Sequence, residues 1–167
     1  MTAVDFLLDM HKKLLRGLQE LRTEDLIMAT ENLRFTANLL DDFEIHWKVE
    51  EGSVFPAFKT RLESITLVHQ LIEDHKNYRE TFAELRDIMK KFDADNKAIT
   101  GRMTEIIFNF TKQSREHATK EEKELYIPAP RLLSESELRK ADKLAMDILI
   151  KAGRKDLAVD LRKAIKW

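Results

Sequence analysis

A histidine–glutamate motif that occurs twice constrains this sequence more than any other feature. It begins at His46 as HWKVEEGSVFPAF and at His117 as HATKEEKELYIPA. Both copies read His-x-x-x-Glu-Glu-x-x-(Val/Leu)-(Phe/Tyr), and a proline follows within two residues. A shorter match precedes each copy, DMHKKLLRGLQEL around His11 and EDHKNYRETFAEL around His75. We infer two related halves, each with a lone histidine followed by a His-x-x-x-Glu motif.

Apolar residues recur at three- and four-residue intervals along nearly the whole chain, which indicates amphipathic helices. The composition agrees, because 167 residues include only four glycines and three prolines. The periodicity predicts four long helices, at about residues 3–22, 30–60, 65–92 and 97–126. Asp93–Asn96 is a turn signal, Ser64 is a candidate N-cap for the third helix, and Thr23–Thr30 is the predicted first connection.

Four long amphipathic segments with short connections predict an all-α fold, specifically an up-down-up-down four-helix bundle. We assign this bundle to residues 1–130. Pro128 and Pro130 close it, because a proline does not continue a helix.

Residues 131–167 are predicted to form a C-terminal appendage of one or two short helices packed on the bundle. Ser134 with Glu137 three residues later is a capping-box signal for a helix that ends near Gly153. A last short helix is predicted from about Asp156.

The spacing within the motif has a chemical meaning. Residues four apart lie one turn apart on nearly the same helix face, so His46 and Glu50 present a nitrogen and a carboxylate together. His117 and Glu121 do the same. The chain has no cysteine, and imidazole with carboxylate ligands suits iron, manganese or zinc.

The histidines are predicted to meet at one level of the bundle. In antiparallel helices, residues equidistant from a turn lie at the same height. The midpoint between His75 and His117 is residue 96, in the predicted turn. The midpoint between His46 and His75 is about 60.5, and that between His11 and His46 is about 28.5, both near predicted connections.

Burying two carboxylates beside four imidazoles without a metal ion would cost several kcal/mol per unpaired charge, so a two-metal site is favoured. The predicted metal ligands are His11, His46, Glu50, His75, His117 and Glu121.

Neighbouring residues are given lesser roles. Glu51 and Glu122 point about 100° away from the ligands, so they are expected to be solvated or to support the ligands from outside. Direct ligation by these two residues is the less favoured alternative. His69 is expected at the surface, and Trp47 has no specific signal. The nearby aromatic residues are assigned to core packing, with Tyr78 also close enough to His75 to contact a ligand of the metal: Phe43, Phe55, Tyr78 and Tyr126.

A lone histidine and a His-x-x-x-Glu motif on alternating helices resemble the hemerythrin-like, or HHE cation-binding, family. The resemblance covers about residues 3–130. It implies that His11 and His46 bind one iron and that His75 and His117 bind the other. It also implies bridging by Glu50 and Glu121, and two non-heme iron ions linked by an oxo or hydroxo group, in preference to manganese or zinc.

One departure from the family pattern affects the functional expectation. Oxygen-carrying hemerythrins typically have a second histidine one turn along the third helix, where this chain has Leu71 and Arg79. The remaining ligand set is closest to hemerythrin-like proteins linked to repair of iron centres and to stress. The resemblance therefore implies a di-iron protein that binds or reacts with O2, NO or peroxide, with an electron donor that the sequence does not identify.

Two alternatives stay open from the sequence: a non-enzymatic module that carries, senses or stores oxygen or iron, and a structural bundle that holds zinc. The sequence leaves open whether the protein is an enzyme, and its oligomeric state. Lys and Arg total 29 against 30 Asp and Glu, so no nucleic-acid partner is expected. No run approaches the roughly 18 apolar residues that span a bilayer, and the N-terminus does not resemble a signal peptide, so we expect a cytoplasmic protein without a membrane partner.

Overall fold

A computed structural model of the chain describes residues 2–21, 30–92 and 97–165. All regular secondary structure in these ranges is helical, which confirms the predicted all-α class. Six helices carry the fold: α1 (Ala3–Leu21), α2 (Thr30–Val49), α3 (Leu62–Lys90), α4 (Lys97–Glu121), α5 (Glu135–Lys151) and α6 (Lys155–Ala164). The predicted turn at Asp93–Asn96 lies outside the described residues, as does the predicted first connection up to Thr30, where α2 begins.

Two π turns interrupt the helices that carry the repeated motif. The first covers Glu50–Val54 directly after α2, and the second covers Glu122–Tyr126 directly after α4. A single α-helical turn follows each, Phe55–Phe58 in one case and Ala129–Leu132 in the other. The second and fourth predicted helices are therefore continuous in extent but change their hydrogen-bonding pattern at the motif.

The prediction that Ser64 caps the third helix is wrong. Helix α3 begins at Leu62, and the extended residue Arg61 precedes it. Ser64 is buried within the first turn, where its N–H donates to the carbonyl oxygen of Arg61 at 3.1 Å. A tertiary contact fixes this start, because the Arg61 guanidinium pairs with the Glu137 carboxylate of α5 at 2.7 Å.

The predicted capping box at the start of α5 is confirmed. The Ser134 hydroxyl accepts from the Glu137 N–H at 3.3 Å, and the Glu137 carboxylate accepts from the Ser134 N–H at 2.7 Å. Gly153 follows the helix with a φ of 73°, a left-handed conformation that glycine adopts without strain. Helix α6 begins at Lys155, one residue before the predicted Asp156.

The buried apolar residues form two clusters. Helices α1, α2 and α3 each contribute to both, whereas α4 contributes to the second and the π turn that follows it contributes to the first. The first cluster joins the bundle to α5 and α6, and its bundle members include Phe6, Leu7, Val54, Phe58, Leu71 and Leu125. The second lies further along the bundle and includes Leu14, Leu18, Phe43, Trp47, Phe82 and Phe110. On each helix, the predicted metal ligands fall where one cluster gives way to the other.

Helices α5 and α6 pack mainly on α1, α2 and the first π turn. Helix α5 contacts the first π turn and α2, and α6 contacts α1. The approach is close, because a Cβ on Gly52 would lie 2.6 Å from Cδ1 of Ile148. The Ala3 N–H also donates to the buried Asp142 carboxylate of α5 at 2.5 Å, which ties the start of α1 to this helix.

Within the described ranges, no helix is both long enough and apolar enough to cross a membrane.

Candidate metal centre

The six predicted ligands all lie in the protein interior, none more than 6% exposed. Their donor atoms form two groups in which every atom lies within 4.8 Å of the others. The groups are His11, His46, Glu50 and Glu121, and His75, His117 and Glu121. Below, the first half of the centre means His11, His46 and Glu50, and the second half means His75, His117 and Glu121.

The Glu50 carboxylate faces both histidine pairs. Its Oε1 lies 2.9 Å from Nε2 of His46 and 3.5 Å from Nε2 of His11. Its Oε2 lies 3.4 Å from Nε2 of His75. One oxygen therefore faces each half.

The Glu121 carboxylate has the matching arrangement. Its Oε1 lies 3.1 Å from Nε2 of His117 and 3.9 Å from Nε2 of His75. Its Oε2 lies 3.1 Å from Nε2 of His11. Two carboxylates thus lie between four imidazoles, an arrangement that can hold two cations side by side.

The π turns begin at or directly after these carboxylates. Each begins six residues before a proline, at Glu50 before Pro56 and at Glu122 before Pro128. A proline cannot donate an N–H and clashes with the carbonyl four residues earlier, so a local widening of the helix relieves the conflict. The sequence analysis missed both π turns, although the proline that follows each motif was the available signal.

Acidic side chains outside the centre accept hydrogen bonds from three of the histidines. Nδ1 of His75 lies 2.8 Å from the Glu51 carboxylate. Nδ1 of His11 lies 3.1 Å from that of Glu122. The two outer glutamates of the motif therefore support the histidines from outside, which is one of the roles expected for them. Each supports the lone histidine of the opposite half.

The third contact was missed by the sequence analysis. Nδ1 of His117 lies 3.1 Å from the Asp74 carboxylate, which is 38% exposed. Because Asp74 directly precedes His75, the spacing that identified the motif places it on a different helix face. Nδ1 of the fourth histidine, His46, is buried and has no hydrogen-bond partner among the residues that the structure describes.

The geometry of the second half favours a bound cation. Nε2 of His75 and Nε2 of His117 lie 2.9 Å apart. In neutral imidazoles whose Nδ1–H groups donate to carboxylates, both Nε2 atoms carry lone pairs. These two lone pairs face each other, and the conflict is removed either by a proton between them or by a metal ion that accepts both.

Buried polar atoms without hydrogen-bond partners give a second test of fit. They include Nε2 of His11, Oε2 of Glu50 and both carboxylate oxygens of Glu121. Unpartnered buried polar groups are rare in folded proteins and are costly. All of these atoms are potential metal ligands, so the residues fit a metal centre.

The pKa shifts of the two carboxylates also favour a metal centre. Burial alone would raise the pKa of Glu50, but the imidazoles of His46 and His11 hold it well below its usual value. Burial and Glu50 would raise the pKa of Glu121, yet His117 and His11 give a net lowering. Both groups are therefore ionised at neutral pH, and two adjacent buried negative charges favour cation binding.

The surroundings raise the pKa of two of the histidines and lower that of a third. Burial opposes charge on His117, but the Glu121 and Asp74 carboxylates raise its pKa to about 9. Burial likewise opposes charge on His11, and Glu121 and Glu122 raise its pKa well above the usual value. Burial dominates at His46 and lowers its pKa. In the metal-free protein, protons on His11 and His117 balance part of the negative charge of these carboxylates. A bound metal ion would supply that positive charge instead.

A small cavity of about 10 Å³ adjoins the centre. It is lined by three of the histidines, His11, His46 and His117, and by Ser114. The Ser114 hydroxyl is buried and has no hydrogen-bond partner. A cavity of this volume holds about one water molecule, so only a very small molecule would fit.

Tyr126 contacts the centre directly, which its assignment to core packing did not anticipate. Its hydroxyl donates to Oε1 of Glu50 at 2.5 Å, and its ring stacks on His11 with 5.7 Å between centroids. Burial and the nearby carboxylates of Glu50 and Glu121 raise its pKa well above the usual value, so the hydroxyl keeps its proton.

Of the other residues near the ligands in sequence, Tyr78 and Trp47 lie in the core and His69 lies at the surface. Tyr78 packs in the second cluster and its hydroxyl donates to the Gln113 carbonyl oxygen at 3.3 Å, in line with core packing. Trp47, which had no sequence signal, stacks on His75 at 5.3 Å. His69 is exposed, as predicted.

Comparison with known proteins identifies the family. The hemerythrin HHE cation binding domain model matches residues 2–129. Neither the curated proteins nor the solved structures give a match. The match covers most of the 167 residues and contains all six candidate ligands, and the buried His/Glu cluster fits a metal-binding protein. The chain belongs to the hemerythrin HHE cation-binding domain family.

Proposed function

We propose that this protein binds two iron ions and uses them to bind or react with a small molecule such as O2, NO or peroxide. In this proposal His11 and His46 hold one ion, and His75 and His117 hold the other. Glu50 and Glu121 bridge them. The observation that carries the proposal is that each carboxylate places oxygens toward both histidine pairs.

The donor set supports iron as the metal. Four imidazole nitrogens and two carboxylates, without sulfur, suit iron and also manganese or zinc. Six protein ligands shared between two ions leave coordination positions free for water or a small molecule. Iron would supply the redox chemistry, while the chain would fix the ligands and limit the access of water.

The size and lining of the cavity support a very small ligand. At about 10 Å³, it accommodates roughly one small molecule beside His11, His46 and His117. The unpartnered Ser114 hydroxyl offers that molecule a hydrogen bond. We expect Ser114→Ala to weaken ligand binding and to leave metal content unchanged.

Reaction is preferred over reversible oxygen carriage. An additional histidine at position 71 or 79 would match the oxygen-carrier pattern. Leu71 is instead completely buried in the first cluster, and Arg79 donates to the Glu51 carboxylate at 2.8 Å. The ligand set resembles that of the stress and iron-centre-repair type, so we place the protein in that role, in the cytoplasm, with an electron donor to be identified.

The arrangement of the chain belongs to the same proposal. We infer an up-down-up-down four-helix bundle over residues 1–130, with residues 131–167 as an appendage. The order of the two clusters along the chain supports this arrangement. Helices α1 and α3 run from the first cluster to the second, whereas α2 and α4, each continued by its π turn, run from the second to the first.

Metal analysis of protein purified without an affinity tag tests the proposal. We expect two iron ions per chain, absorption from the iron centre, and a spectral change on mixing with O2, NO or peroxide. His75→Ala is the control and should lose metal. Zinc at one equivalent would contradict the proposal and favour a structural bundle, and a stable, reversible O2 adduct in stopped-flow spectra would favour carriage.

A further inference from the structure

The two halves of the centre differ in one carboxylate. Aligning the halves on their lone histidines places Met10 opposite Asp74, since each directly precedes its histidine. Asp74 accepts a hydrogen bond from Nδ1 of His117 at 3.1 Å. His46 is the counterpart of His117, and its Nδ1 is buried without a partner. The missing partner of His46 is thus explained by Met10.

The surroundings explain why a carboxylate occurs on only one side. Met10 is 3% exposed and lies in the first cluster, where it lines a cleft with Lys163 and Ala164 at the end of α6. Asp74 is 38% exposed, so its charge remains partly hydrated. A carboxylate at position 10 would lose most of its hydration beneath the C-terminal helix.

We propose that Asp74 makes the two metal positions unequal, so that the ion held by His75 and His117 binds first and more tightly. This inference rests on the proposed two-metal centre. Asp74 acts as a positioning residue, because it contacts His117 and not the metal. It fixes the ring orientation and makes Nε2 a stronger donor.

Competition from protons does not cancel this effect. A nearby carboxylate also favours a proton on His117, but a doubly charged metal ion gains more from the same negative charge. Arg79 opposes the effect because it pairs with Glu51, the partner of His75. Arg79 is 35% exposed, so solvent screens its charge.

Stepwise metal binding by the full chain tests the inference. Metal-free protein is titrated with Zn²⁺ against a competing chelator, which avoids redox chemistry. Removing an outer partner of a metal-bound histidine typically costs about 10- to 100-fold in affinity, so we expect two steps separated by about that factor. Asp74→Asn should weaken the tighter step by a similar factor, and Asp74→Glu should partly restore it.

Glu73→Gln is the matched control, because it makes the same change on the adjacent residue. Glu73 is 61% exposed and pairs with Lys76, away from the histidines. We expect both steps to stay as in the wild type. Each metal-free variant should still unfold in one cooperative thermal transition, which separates a positioning role from a folding defect.

The outcomes distinguish this inference from the proposed function. Two equal steps in the wild type, or equal weakening of both steps by Asp74→Asn, would overturn the inference and leave the two-metal centre intact. Failure to bind a second ion at all would instead contradict the proposed function.

Discussion

The two halves of the centre have the same donor residues in different surroundings. In the second half, Asp74 supports His117, and Ser114 lines the small cavity. The matching positions in the first half are Met10 and Phe43, both buried and apolar. The donors and the outer glutamates Glu51 and Glu122 follow the repeated sequence, whereas Asp74 and Ser114 do not.

The C-terminal helices account for part of this difference. They pack mainly on α1, α2 and the first π turn, where a Cβ added to the exposed residue Gly52 would lie 2.6 Å from Cδ1 of Ile148. The counterpart of Gly52 in the second half is Lys123, which is exposed. A covered half needs small or apolar residues, while an exposed half tolerates charge. Packing of the C-terminal helices, and not the ligand chemistry alone, therefore determines which residues surround each half of the centre.

The largest predicted effect is a loss of bound metal, which should be greater for a ligand that faces both halves than for a ligand that belongs to one half. Glu121→Ala is expected to reduce bound metal from two ions to less than one, because this carboxylate faces histidines of both halves. His46→Ala removes a ligand of the first half only and should leave about one ion. Metal analysis of each purified variant checks the difference.

The control for this comparison is Glu116→Ala, which removes an exposed carboxylate of α4. It should retain the wild-type metal content. Retention of a full ion by Glu121→Ala would show that the halves do not share this carboxylate.

The next prediction concerns pH. Although burial opposes its charge, the carboxylates of Glu121 and Asp74 raise the pKa of His117 to about 9 in the metal-free protein. Metal must then displace a proton from His117 below pH 9, so affinity should rise with pH up to about that value. One displaced proton gives about tenfold per pH unit, or roughly 100-fold between pH 7 and 9.

Zn²⁺ competition titrations across this range measure the slope. Asp74→Asn should make the slope of the second half level off at lower pH, because His117 then loses a carboxylate that holds its proton. A wild-type affinity that stays constant between pH 7 and 9 would contradict this linkage.

The sequence predicted the helices and the six buried residues because these follow from local spacing. Residues four apart share a helix face wherever a helix forms, so His46 with Glu50 could be paired without a structure. The level of the lone histidines, such as His11, followed from positions relative to turns.

Features that depend on contacts between helices were not predictable in this way. Asp74 of α3 contacts His117 of α4, and Tyr126 contacts Glu50, which lies 76 positions earlier in the sequence. The start of α3 was misplaced for the same reason, since Arg61 is held by α5. Alignment of the two halves would have marked Asp74 as a difference, but it would not have revealed its partner.

A smaller effect is expected when the second half is made more like the first. Phe55 is the counterpart of Tyr126 and stacks on His75, but it has no hydroxyl. Tyr126→Phe therefore removes the hydrogen bond to the Glu50 carboxylate and should destabilise the metal-free protein by about 1.5–3 kcal/mol. Chemical denaturation of both proteins measures this free energy.

The matched control is the conservative change Tyr78→Phe, which removes a hydroxyl that donates to a backbone carbonyl and not to the centre. It should cost less, about 0.5–1.5 kcal/mol. Equal losses for the two variants would argue against a special role for the Tyr126–Glu50 contact.

The smallest predicted effect tests whether α5 packs closely on the first π turn. A Cβ at Gly52 would lie 2.6 Å from Cδ1 of Ile148, the flexible end of that side chain. Gly52→Ala should therefore cost about 1 kcal/mol in the free energy of unfolding, since the overpacking of α5 outweighs the gain in helix propensity. Lys123→Ala, the equivalent change in the exposed second half, should leave the thermal midpoint unchanged. If Gly52→Ala instead stabilises the protein while Lys123→Ala has no effect, Ile148 moves aside freely and close packing of α5 does not explain the glycine.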